Sequence, residues 1–112
     1  MSDCLFCKII AGDIPSDKVY EDEYVFAFRD IAPQAPFNVL IVPKKHVKSA
    51  TDINEENSVL MAKCFEAVNK IAAQEGVENF RLINNCGEAA GQTVPHIHFH
   101  MLSGMPLTEK MV

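Results

Sequence analysis

The chain has 112 residues, 48% of them hydrophobic, and a formal net charge of -5 with its histidines neutral. That length fills one ordinary core and not two, so one domain spanning residues 1–112 is expected. The acidic balance argues against a protein that coats nucleic acid or an anionic membrane, and no apolar run approaches the roughly 20 residues of a membrane span, so any phosphate site must be built locally.

The N-terminal MSDCLFCKII carries no basic leader ahead of its apolar run, which makes a soluble, cytoplasmic protein the expectation. Residues Cys4 to Ala11 read as a short helix from the spacing of Leu5, Phe6, Ile9 and Ile10, ended by Gly12 with Pro15 beyond. KVYEDEYVFAFRD then reads as a hairpin, with Val19 and Tyr20 on one arm, a turn through Glu21 to Glu23, and Tyr24 to Arg29 on the other. DIAPQAP is a loop with two prolines, and FNVLIVP is a nearly unbroken apolar run of the length of a central strand. A long helix is expected from about Ile53 to Glu75, with Asp52 and Glu55 as a capping pair. Leu60, Cys64, Ala67, Val68, Ile71 and Ala72 fall on one face of it, and Gly76 closes it. NFRLIN is another strand, NCGEAAGQ a glycine-bearing loop, PHIHFHML the last strand, and SGMPLTEKMV an irregular tail. Five strands linked mainly as hairpins, one short helix and one long helix define an α+β fold class.

The segment TVPHIHFHML holds three of the chain's four histidines at alternate positions. On a strand, His96, His98 and His100 share one face and Ile97, Phe99 and Met101 the other, with alternate Cα atoms about 6 to 7 Å apart. Such alternation is commonly a solvated face, but here it follows a glycine loop and concentrates the imidazoles of the whole chain. One further use is metal binding. Without a signal peptide Cys4 and Cys7 are not expected to form disulfides, and Cys-x-x-Cys is a familiar zinc spacing, with a redox pair or plain packing as the alternatives. Cys4, Cys7, His46 and one of the alternating histidines would close a four-ligand site, while Cys64 and Cys86 read as packed or incidental. The other use is nucleophilic: a neutral imidazole can attack phosphorus if its second nitrogen donates its proton to a fixed acceptor. Thr93, Asn85 and the backbone around Gly87 and Gly91 suit phosphate oxygens, and no Walker-type glycine-lysine sequence occurs.

HIHFHML follows the pattern His-φ-His-φ-His-φ-φ, with φ apolar, and the chain resembles the histidine triad (HIT) superfamily of nucleotide hydrolases and transferases. CLFCKIIAGDIPSDKVYEDE, FAFRDIAPQAP, LIVPKKH and GQTVPHIHFH look like its zinc-containing, Hint-like branch in order and spacing. The resemblance implies a five-stranded antiparallel sheet, and a homodimer whose sheet continues to ten strands. It implies that His98 attacks the α-phosphorus of a purine nucleoside phosphoramidate of the AMP-amine or AMP-lysine type, forming a nucleotidyl-histidine that water hydrolyses. By the same resemblance His100 lies against the phosphate, Asn85 and Thr93 hold its oxygens with Gly91 and Gln92 in the same loop, and Asp30 meets the ribose hydroxyls. Leu5, Phe6, Ile9, Phe28 and Ile31 would line the base pocket. Cys4, Cys7, His46 and His96 would hold a structural zinc ion. A dinucleoside polyphosphate hydrolase and a nucleotide-binding adaptor with little turnover are the alternative functions. The chain departs from the branch in three places: Asn38 stands where many members have a histidine, Pro95 precedes His96, and the tail lacks a tryptophan-containing ending.

Overall fold

The computed structural model of the chain describes residues 3–110. Its elements run α1 (Leu5–Ala11), β1 (Lys18–Glu21), β2 (Val25–Arg29), β3 (Phe37–Pro43), α2 (Val59–Glu75), β4 (Arg81–Ile83) and β5 (Phe99–Ser103), with short 3-10 turns at Ala50–Asp52 and Glu88–Ala90. The strands form one five-stranded sheet in the order β1-β2-β3-β5-β4, every neighbouring pair antiparallel. The α+β class, the five strands and the two helices expected from the sequence are therefore present. The tail expected to be irregular contains no helix or strand after Ser103 as far as Lys110, and its last two residues lie outside the described ones.

The apolar runs of β2 and β3 follow from burial on both faces of the sheet. Val25, Ala27, Val39, Ile41 and Met101 point to one side and pack against Cys64, Ala67, Val68 and Ile71 of α2. Phe26, Phe28, Leu40 and Val42 point to the other side and pack with Cys4, Phe6 and Ile9 at α1. Helix α2 ends as the sequence predicts, at Gly76 with φ 69°, a left-handed conformation in which glycine has no Cβ penalty.

Two boundaries differ from expectation by more than two residues, and each has a local cause. Helix α2 starts at Val59, not near Ile53. Asp52 is engaged instead by the Ser49 hydroxyl at 3.0 Å, while Asn54 and Asn57 form a reciprocal turn: Asn54 Oδ1 accepts from the Glu56 and Asn57 amides, and Asn57 Oδ1 from the Asn54 amide. Side chains that bond nearby backbone compete with the helix at these positions. The last strand starts at Phe99, so only His100 of the three alternating histidines lies in regular sheet. Pro95 has no N–H, the His96 N–H turns back on Val94 O at 2.8 Å, and the His96 carbonyl accepts from a ring, which leaves this stretch little to offer a ladder.

A candidate nucleotide cavity beside a cysteine–histidine cluster

Helix α1 has only seven residues and covers only part of its face of the sheet. Beside it lies a cavity of about 470 Å³, within the usual size for small-molecule sites. Its apolar wall includes Leu5, Phe6, Ile9, Phe28, Ile31 and Leu40, with Ile14 and Val94, and its polar groups include Asp30, Asn85, Gly91, Thr93, His98 and His100, with Ser16 and Arg29 also on the lining. A larger hollow of about 930 Å³ lies between the end of α2 and residues 103–107, but no histidine or cysteine lines it, whereas His98 and His100 line the smaller one.

The structure thus brings together every expected lining residue except Gln92. The Gln92 side chain is buried and accepts from the Gly87 amide at 2.8 Å while donating to Lys48 O and Val94 O. It shapes the glycine loop from behind. Gly91, at φ 95°, lies next to Asn85: a Cβ there would sit 3.5 Å from the Asn85 amide nitrogen. Ile31 is fully exposed and Leu5 is 43% exposed, so the outer rim of the apolar wall is open to solvent.

His98 is 5% exposed, and its position is fixed twice. Its Nδ1 lies 2.8 Å from the His96 carbonyl, which can only accept, so Nδ1 carries the proton and Nε2 keeps its lone pair. The His98 carbonyl in turn accepts from Asn84 Nδ2 at 2.9 Å. Asn84 is a support that sequence reasoning passed over, since a polar residue at a strand end looks like a turn residue. Phe6 meets the His98 ring edge to face at 5.0 Å, and His100 lies 5.2 Å away on the other side. Across the sheet His100 sits in a row with Leu40 and Ile83. Burial, then the neighbouring His98, push the His100 imidazole below its ordinary value, while the Asp30 carboxylate, 3.9 Å from its Nδ1, draws it back up.

His96 faces away from the cavity into a second cluster. Its Nε2 donates to Pro43 O at 2.8 Å, so its Nδ1 is unprotonated and points at Cys4 Sγ (3.3 Å), Cys7 Sγ (3.6 Å) and His46 Nδ1 (3.2 Å). Cys7 Sγ is also 3.5 Å from His46 Nδ1, and the four ligand atoms all lie within 4.8 Å of one another. Such a set can hold a metal ion. The Cys4 thiol also caps α1 by accepting from the Cys7 amide at 3.4 Å, so the helix start and the cluster are one construction. Burial and the Cys4 thiol beside it raise Cys7 above the ordinary thiol range, a cost that a bound cation would reverse. Cys64, by contrast, is pushed up to about 12 by burial in the α2 core, which suits an inert packed thiol. Cys86 is half-buried outside both sites, its pKa lowered by hydrogen bonds from the backbone of Thr51 and the side chain of Ser49.

Fold and site together define an α+β protein with a tautomer-fixed histidine on a cavity of small-ligand size and a four-ligand cysteine–histidine cluster behind it. Residues 11–107 match the HIT domain family, and the chain belongs to it. It is 45% identical over 105 residues to the purine nucleoside phosphoramidase of Escherichia coli K12, covering 92% of this chain and 88% of that one. Among solved structures it superposes on a HIT family hydrolase from Clostridium thermocellum with a TM-score of 0.97 at 46% identity, covering 100% and 99% of the two chains. A histidine triad protein from Clostridium difficile gives 0.94 at 46% identity, covering 98% and 97%.

Proposed function

We propose that this chain, acting as one domain over residues 1–112, hydrolyses purine nucleoside phosphoramidates of the AMP-amine type. The observation that carries the reading is the Nδ1–H of His98 held by the His96 carbonyl, which leaves Nε2 as a nucleophile at the cavity wall. The phosphoramidase named above, similar over nearly its whole length, supports the substrate class. In the reaction His98 Nε2 attacks the α-phosphorus, the P–N bond breaks, and the amine leaves with a proton. Water then cleaves the histidine–phosphorus bond, releasing the nucleoside monophosphate and the free imidazole. Asn85, Thr93 and the amides near Gly91 hold the phosphate oxygens, His100 stands against the phosphate, Asp30 accepts from the ribose hydroxyls, and the apolar wall takes the base. The test is cleavage of AMP linked to an amine by wild type and His98→Ala, the variant keeping measurable AMP affinity and losing turnover. Robust cleavage by the alanine variant would reject this mechanism.

The cysteine–histidine cluster is read as a structural zinc site. A tetrahedral zinc at about 2.3 Å from sulfur and about 2.0–2.1 Å from nitrogen requires ligand–ligand edges of about 3.3 to 3.8 Å. Four of the six separations among these atoms, 3.2 to 3.6 Å, support that ion, and all six are within 4.8 Å. Four protein ligands leave no position for substrate, so its contribution is to tie α1 and the Lys44–His46 turn to His96. We further propose a homodimer in the cytoplasm. The dimer is supported by β4, an edge strand, and by the exposed Val59 and Phe65 of α2, and the compartment by four free cysteines. Sedimentation as a monomer at micromolar concentration would reject the dimer.

A further inference from the structure

Residues 31–36, which carry Ile31 at the cavity rim, lie between β2 and β3 and contain two prolines without N–H groups. Asp30 and Ile31 both line the cavity. Asp30 closes a tight turn on itself, Oδ1 accepting from the Ala32 amide at 2.9 Å, and its Oδ2 is left facing His100. The two ends of this turn hang on one residue. The Asp30 amide donates to the Asn38 carbonyl at 3.0 Å, and the Gln34 amide donates to Asn38 Oδ1 at 2.9 Å. Among the described residues, that second bond is the only hydrogen bond joining residues 31–36 to a strand of the sheet.

Asn38 is 3% exposed, and its Nδ2 has no hydrogen-bond partner among the described residues. A leucine there would fill the space without an unpaired donor, so the amide is retained at a cost in stability. Its position explains what that cost secures. Asn38 lies opposite Leu102, two residues along β3 from Leu40, which lies opposite His100, so its side chain is on the cavity face but behind the wall. It touches no part of the cavity itself and can act only through the turn it holds.

We propose that Asn38 is the positioning residue for the nucleotide's sugar: it clamps Asp30 to Gln34 at both ends and thereby fixes the carboxylate that meets the ribose. This rests on the reading of Asp30 given under the proposed function. The His98 ring is held separately, by His96 and Asn84, so loss of the clamp weakens nucleotide binding without removing the bonds that hold His98. Asn38→Ala removes the Gln34 bond. Asn38→His is the conservative variant, because a histidine Nδ1 can occupy the place of Oδ1 and accept the same N–H.

The experiment has a ligand-free and a ligand-bound arm. In the free protein, hydrogen exchange at the Gln34 amide should accelerate in Asn38→Ala and return toward wild type in Asn38→His. In calorimetric titrations, AMP should bind Asn38→Ala about 5–10-fold more weakly, the scale of one hydrogen bond, while 2′,3′-dideoxy-AMP binds both proteins alike. Unchanged Gln34 exchange, unchanged AMP affinity, or equal weakening of both ligands would each overturn the assignment. A wild type that does not distinguish AMP from the dideoxy analogue would instead reject the ribose reading of Asp30, and it is recognised before any variant is made.

Discussion

The two faces of the sheet use the same strands for different ends. Toward α2, alternate residues of β2, β3 and β5 meet Cys64, Ala67, Val68 and Ile71 in an apolar cluster. Toward α1, the intervening residues Phe26, Phe28, Leu40 and Val42 share their face with the buried Asn38 and with the site that contains His96 and His98. The 17 residues of α2 cover their face, whereas the seven of α1 leave room for a cavity. Stability is concentrated where burial is complete and apolar. The site is assembled where coverage is incomplete and each polar group is tied by a named bond.

This contrast is broken most severely by exchanging which face is damaged. His98→Ala should lower turnover of an AMP-amine substrate by about 10³-fold or more while shifting unfolding by less than about 1 kcal/mol, since the cavity tolerates a smaller side chain. A stopped assay combined with a denaturant melt measures both. Ile41→Ala, on the α2 face at 0% exposure, should do the reverse, costing about 2–5 kcal/mol of stability with kcat per folded molecule unchanged. A variant that loses activity and stability in parallel would show that the faces are not separable.

The α2 face was the more legible of the two in the sequence. The spacing of Leu60, Cys64, Ala67, Val68 and Ile71 states its period directly, and Gly76 marks its end. The start was not legible, because Asn54 and Asn57 satisfy each other's backbone in a way that no residue preference distinguishes from a cap. On the other face, the alternation of His96, His98 and His100 correctly signalled a special segment, yet its strand reading was too simple. His96 turns into the cysteine–histidine cluster where the main chain lies outside the ladder: Pro95 has no N–H, the His96 amide bonds back to Val94, and the Ile97 amide reaches across the fold to Val47. The unshared roles of Gln92 and Asn84 were likewise invisible, since both act through backbone groups distant in sequence.

A smaller effect probes where the two regions of the site meet. Cys4→Ser removes a metal-ligand candidate and weakens the cap of α1, so zinc should fall from about one per chain to none. The thermal midpoint should drop by on the order of 10 °C, because folding is then no longer linked to metal binding. Elemental analysis and a melting curve are the measurements, and a metal-free wild type would defeat the zinc assignment. Turnover should suffer less than in His98→Ala, since the His98 imidazole itself is kept, with its Nδ1 still beside the His96 carbonyl.

The smallest effect reads the polarity of the cavity itself. Burial and His98 hold the His100 imidazole below its ordinary value of 6.5, against the upward pull of Asp30. An unfolded chain therefore takes up this proton near pH 6.5, and the folded chain only at lower pH. In the interval the unfolded state binds more protons, so this residue makes stability fall as pH drops from about 6.5 to the folded midpoint and contributes no slope above that interval. Proton titration followed by NMR should place the His100 midpoint under 6.5 in the free protein, and Asp30→Asn should lower it further by removing a neighbouring charge that favours the cation. A midpoint that rises in Asp30→Asn would mean that the carboxylate does not face the imidazole. A bound nucleotide phosphate should move it the other way, because an anion against His100 stabilises the protonated ring.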